Sequence, residues 1–164
     1  MKAFGRLRGI AILAGVIILG FAVANLPGRR IAGLANPVVR ADGGCSLASL
    51  NGPYATEGHG TIVGSLPGFP PPPFPFGEVV LDHFNGAGSF FGNASVNAGG
   101  VALVVPVTGT YTVNSDCTGT ITVNTSLGLT LHNSIVVIGG GQRFIATETD
   151  PFAVIQRTGV KLGD

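Results

Sequence analysis

Asp82 and His83 stand side by side in the stretch EVVLDHF, and Asn133 stands in LTLHNSIVV. A carboxylate next to an imidazole offers a proton acceptor and a group that titrates near neutrality, so Asp82 and His83 are candidate catalytic acid and base. On a β-strand, adjacent side chains point to opposite faces. One face of this stretch carries Glu78, Val80, Asp82 and Phe84, and the other carries Val79, Leu81 and His83. Whichever face turns inward takes an ionisable group with it. Asn133 is placed in the same way, sharing a face with Leu129, Leu131, Ile135 and Val137. A polar group in an apolar interior needs a partner or serves a ligand; at a rim it would meet water or backbone instead.

Other chemistry finds little support. His59, His83 and His132 are the only histidines, and their spacing matches no metal-binding motif, so no metal is expected. No G-x-S-x-G elbow is present, and Gly139-Gly140-Gly141 is followed by neither Lys nor a helix, so it reads as a turn and not a phosphate loop. No cofactor motif is found.

The elements that must hold these residues are strands. The stretch Gly109–Thr122, GTYTVNSDCTGTIT, alternates between two faces on either side of Asn114-Ser115-Asp116. Period-two alternation rich in Thr, Val and Ile predicts two half-buried strands joined by a polar turn. Further strands are predicted at Gly52–Gly64, Glu78–Phe84, Ser89–Asn97, Leu129–Ile138, Gln142–Thr149 and Phe152–Arg157. With Val101–Val113 and Cys117–Thr125 these make eight strands. Asn85-Gly86-Ala87-Gly88 and Asn97-Ala98-Gly99-Gly100 are hairpin turns. Leu66–Gly77, LPGFPPPPFPFG, is too rich in proline for a sheet interior and predicts an extended surface loop. Pro106 predicts a bulge or bend.

No stretch after residue 44 has helical periodicity. The expected fold is all-β, a single antiparallel eight-stranded up-and-down barrel preceded by an N-terminal signal helix, with a β-sandwich as the alternative. Sequential hairpins suit the barrel, and closure removes sheet edges that carry almost no protective charge. An outer-membrane barrel would need aromatic girdles, and the chain has no Trp and only Tyr54 and Tyr111. The apolar faces predict a cavity lined by Tyr54, Ile62, Phe90, Leu103, Val105, Tyr111, Ile121 and Leu131. Of these, Tyr54, Phe90, Leu103, Tyr111 and Leu131, together with Asn133, are the candidate ligand-binding residues. Gly58, Gly60, Gly92 and Gly119 share those faces and leave space there.

The first 41 residues are a different kind of chain. Lys2, Arg6, Arg8, Arg29, Arg30 and Arg40 are basic, and no residue among them is acidic. Lys2, Arg6 and Arg8 precede an apolar run, Ile10–Ala24, that ends in Ala22-Val23-Ala24. This is the pattern of a secretory signal. Residues 1–24 are read as a signal peptide, 25–44 as a linker and 45–164 as the barrel domain. A later cut before Asp42 and an uncleaved anchor are the alternatives. The protein is therefore expected outside the cytoplasm: secreted, periplasmic or on the cell surface. It would meet a membrane only through the signal segment before cleavage.

From Cys45 onward, Arg143, Arg157 and Lys161 face Glu57, Glu78, Asp82, Asp116, Glu148, Asp150 and Asp164, three basic against seven acidic and a balance of −4. No basic patch remains for phosphates, which argues against a nucleic-acid partner. Cys45 and Cys117 are the only cysteines, and in an exported chain they are expected to form a disulfide.

The chain resembles a family of uncharacterised secreted bacterial β-barrel proteins. The shared pattern is an early Cys, a G-x-Y, an F-D-G-x-G-type hairpin and G-T-Y-x-V…D-C-T-G-T. Here it is carried by Cys45, Gly52-Pro53-Tyr54, Phe84-Asn85-Gly86-Ala87-Gly88 and the stretch from Gly109 to Thr120. Asn85 stands in place of the Asp. The layout is similar to the small barrels of allene oxide cyclases and dirigent proteins, but none of their active-site residues carries over. Three functions follow as expectations. The first is an exported barrel that binds a small apolar ligand or a surface partner without catalysis. The second is a cofactor-free isomerase or cyclase of the allene-oxide-cyclase type using Asp82 or His83. The third is a structural or self-associating surface protein with an uncharged Thr/Asn/Gly exterior.

Overall fold

The computed structural model describes residues 44–163. The signal peptide, the cleavage points and almost all of the 25–44 linker lie outside the described residues.

The predicted alternation produces eight strands: β1 (Asn51–Ile62), β2 (Phe74–Asn85), β3 (Ser89–Ala98), β4 (Val101–Val113), β5 (Thr118–Thr125), β6 (Thr130–Ile138), β7 (Arg143–Glu148) and β8 (Ala153–Lys161). Each pairs antiparallel with the next, and β1 pairs with β8 from Tyr54↔Lys161 to Ile62↔Ala153. This closes the sheet into a barrel, and the sandwich alternative falls with it. Along β1, β3, β4 and β7, buried residues alternate with exposed ones over most of the strand, so the core is the barrel interior.

Three prolines lie inside strands, and all are tolerated for one reason. A strand residue points its N–H and C=O to the same side. The carbonyl of Pro53 accepts from Leu162 N at 2.9 Å, that of Pro75 from Gly99 N at 2.9 Å, and that of Pro106 from Ser126 N at 3.0 Å. Each donor lies just beyond the end of the neighbouring strand. The missing proline N–H therefore faces a place where no ladder continues, while the other edge stays paired. Two expectations are corrected by this. Pro106 makes no bulge, because its pairing with Asn93 is continuous with the rest of β3–β4. The last four residues of the proline-rich stretch, Phe74–Gly77, belong to β2, with Pro75 opposite Thr61.

The two barrel ends differ. One carries the starts of β1, β3, β5 and β7 and is plugged. A 3₁₀ turn, Leu47–Ser49, sits at this end, and the Cys45–Cys117 disulfide ties it to the β4–β5 turn. Closing a loop with a sequence separation of 72 contributes roughly 4 kcal/mol in the chain-entropy account. Cys117 itself belongs to the turn and not to β5, with φ of 69°. Beneath the 3₁₀ turn, Phe84 packs against Tyr54, Phe90, Tyr111 and Phe144, with ring centroids 5.2, 5.1, 5.2 and 5.8 Å away. The opposite end carries the 63–73 loop and a smaller apolar cluster of Ile62, Phe74, Ala98, Ala153 and Ile155.

Candidate functional site

Between the aromatic plug and the loop end, the interior faces bring six polar side chains inward. The Glu78 face of β2 is the one that turns in: Asp82 is buried, and His83 lies outside, stacked on Phe91 at 5.1 Å. His59 and His132 are exposed as well, and among the described residues no group of three His, Cys, Asp or Glu could hold a metal ion. Of the catalytic candidates, then, only Asp82 faces the interior.

Arg157 organises the polar belt. Its Nε donates to Glu78 Oε1 at 2.5 Å, and its Nη1 donates to Glu148 Oε2 at 2.9 Å and to Asn133 Oδ1 at 2.6 Å. The three charged side chains are 9 %, 8 % and 0 % exposed, so this is a buried ionic cluster and not a surface salt bridge. Burial costs a guanidinium dearly unless it is paired and hydrogen-bonded. Here the carboxylates more than offset burial and push the Arg157 pKa above its ordinary value. Towards the plug, Thr56 Oγ1 donates to Asp82 Oδ2 at 2.8 Å.

Burial shows in the protonation of two of the carboxyl groups, Asp82 and Glu148. Burial raises Asp82 to about 6, against the hydrogen bond from Thr56. Burial likewise raises Glu148 to about 7, against the attraction of Arg157. Both carboxyls therefore change charge close to neutrality.

Glycines make the belt sterically feasible. Glu78 lies opposite Gly58, and Asp82 lies opposite Gly92. A Cβ at Gly58 would fall 2.7 Å from Glu78 Oε1, and one at Gly92 would fall 2.8 Å from Asp82 Oδ1. In the plug, the rings of Phe90 and Phe144 cover Gly109 and Gly159 in the same cross-strand manner. At Gly60 and Gly119, it is the carbonyls of Val154 and Thr112 that close in. The expectation that Gly58, Gly60, Gly92 and Gly119 leave empty space is thus corrected: carboxylates and backbone occupy it.

The interior space lies elsewhere, running from the rings of Phe84, Phe90 and Phe144 past the belt to the loop end. It is a cavity of about 110 Å³ bordered by Thr56, Glu78, Asp82, Asn133 and Arg157 on one side and, apart from Thr125, by apolar side chains on the rest. Leu66, Phe69 and Phe152 roof part of it, with Phe69 stacked on Phe74. Under β4, β5 and β6 the roof is missing. There Leu103, Val123, Leu129 and Leu131 are only half-buried, and Leu127 is 52 % exposed.

Of the ligand-binding candidates, Phe90, Leu103, Leu131 and Asn133 meet at this cavity, as do Ile62, Val105 and Ile121. Tyr54 and Tyr111 do not line it. Their hydroxyls belong to the plug: Tyr54 donates to the Gly141 carbonyl, and Tyr111 donates to the carbonyls of Leu50 at 2.8 Å and Leu47 at 3.1 Å. Burial raises both phenol pKa values.

No family, curated protein or solved structure matches this chain.

Sequence reasoning missed Arg157, Glu148 and Thr56 as members of the site. The signal was present in the alternation. Arg157 shares a face with Ala153, Ile155 and Gly159, and Glu148 shares one with Phe144 and Ala146. A charged residue on an otherwise apolar or glycine face is the mark of a buried charge.

Proposed function

We propose that this protein is an exported barrel that binds one small, mainly apolar ligand in its lumen. The observation that carries the reading is the asymmetry of the interior. One end is packed solid with aromatic rings, while the other leaves an apolar cavity whose leucines remain partly open. A mostly apolar pocket with a few polar anchors is the usual form of a small-molecule site. Export is supported by the Ile10–Ala24 signal pattern and by a disulfide, which suits an oxidising compartment. The test is titration with the neutral dye N-phenyl-1-naphthylamine. Saturable binding of one dye per barrel is expected, and absence of saturable binding to the folded protein rules the reading out. Mass spectrometry of the exported form should place its N-terminus at Asn25, or at Asp42.

A second reading is cofactor-free isomerisation or cyclisation of the allene-oxide-cyclase type. It is favoured by Asp82, which borders the cavity and titrates at about 6, where a carboxyl can both give and take a proton near neutrality. Under that reading Asp82→Asn abolishes turnover yet keeps dye binding.

A further inference from the structure

We propose that the lumen selects an apolar molecule ending in an uncharged hydrogen-bond acceptor, a hydroxyl or a carbonyl, and that Asn133 Nδ2 is the group that holds it. This rests on the ligand-binding reading above and names the chemistry of the ligand's polar end.

The argument begins with what each group of the belt lacks. Asp82 is held by Thr56, and Glu78 and Glu148 are both held by Arg157. Asn133 is 2 % exposed and lines the cavity. Its Oδ1 accepts from Arg157, but Nδ2 is the one buried side-chain nitrogen or oxygen among the described residues with no hydrogen-bond partner. The orientation of the amide is fixed by chemistry. A guanidinium has no acceptor, so the oxygen must face Arg157 and the NH₂ must face away from it. A buried donor without a partner is costly, and native interiors rarely keep one without a reason. The open valence in this belt is a donor, and it calls for an acceptor.

Charge narrows the acceptor. A carboxylate head would enter an apolar cavity already walled by Glu78 and Asp82, with the only guanidinium committed to other groups. Both desolvation and like-charge repulsion oppose it. An ammonium head suits the carboxylates but has no lone pair for Asn133. A neutral hydroxyl or carbonyl meets both conditions. Size agrees as well, since an apolar cavity of roughly 150 Å³ accommodates benzene. The 110 Å³ available here would take the polar end and a few carbons. The remainder would run along Leu129 and Leu131 to the open side.

The test is displacement of bound N-phenyl-1-naphthylamine at pH 7.5 by four molecules sharing one chain: 1-octanol, 2-octanone, octanoate and octylammonium. Octanol and octanone are expected to displace the dye at about tenfold lower concentration than the two ions, the value of one well-made buried hydrogen bond. Asn133→Leu should weaken displacement by octanol and octanone about tenfold, each measured against the variant's own dye affinity, and so close their lead over octylammonium; the lead over octanoate remains, because Glu78 and Asp82 still oppose a carboxylate. Asn133→Asp keeps an oxygen for Arg157 but loses the donor, and should behave likewise. The wild-type ranking needs no variant, so it stands even where a substitution impairs folding. Octanoate or octylammonium binding as well as octanol, or a lead of octanol over octylammonium that survives both substitutions, overturns the assignment. If the dye binds and the heads are not distinguished, this inference alone fails. If the dye itself does not bind, the binding reading fails and takes the inference with it.

Discussion

The two ends of the barrel are built from the same alternating strands and reach opposite results. At the plugged end, large rings sit across from glycines, as with Phe90 over Gly109 and Phe144 over Gly159, so each ring has room to lie flat against the wall. Buried tyrosine hydroxyls then fasten the 3₁₀ turn over them, and the disulfide holds that turn in place. At the loop end the inward residues of β4–β6 are Leu, Val and Thr, which are too short to meet across the lumen. The difference teaches that side-chain reach, and not strand number, decides whether an eight-stranded barrel is solid or hollow. The polar belt sits at the boundary between the two.

The largest effect should come from that boundary. Arg157→Met strips the buried carboxylates Glu78 and Glu148 of their only cation and is expected to lower stability by about 4 kcal/mol in urea denaturation. Replacing both glutamates with glutamine in the same protein should recover most of the loss. A single substitution that proved neutral would mean that the belt is solvated.

Next comes a direct contrast between the ends. Phe84→Ala opens a hole among four ring contacts and should cost about 3 kcal/mol. Leu131→Ala, at a half-buried side chain bordering existing space, should cost about 1 kcal/mol. Equal losses would contradict the division into a packed and an open end.

An effect smaller than that of either Arg157→Met or Phe84→Ala is on pH. Asp82 and Glu148 have folded pKa values of about 6 and about 7, raised above their unfolded values of 3.8 and 4.5. Between those limits the folded state holds more protons than the unfolded one, so stability is greatest at the acidic side of the window and falls as pH rises through 6 and 7. Denaturation midpoints should therefore be higher at pH 5 than at pH 8, by on the order of 2 kcal/mol in all. Asp82→Asn should flatten the lower part of the dependence. A midpoint that rises with pH across this window would reverse the assignment.

Most of the fold was legible because period-two alternation is a local signal. The faces of β3, β4 and β5 could be read directly, and so could the pairing of Cys45 with Cys117. The inward turn of Asn133 was legible for the same reason. What could not be read depends on partners across the barrel. Nothing local to Gly92 says that Asp82 fills the space beside it, and nothing local to Pro75 says that β3 ends where its amide would have been needed. Tyr54 and Tyr111 lie on inward faces, but only the chain crossing the plugged end converts them from lining residues into fastenings. Arg157 was overlooked because charge was counted along the chain and not placed on a strand face.

The central claim is that the loop end, and not the plug, admits a ligand. Leu131→Trp tests it most directly, because an indole at that position fills the cavity while leaving the aromatic plug and the Arg157 cluster untouched. The variant is expected to keep its cooperative unfolding and its disulfide and to lose saturable binding of N-phenyl-1-naphthylamine. A folded Leu131→Trp protein that binds the dye as tightly as the wild type would contradict the account, since the dye would then lie somewhere other than the lumen.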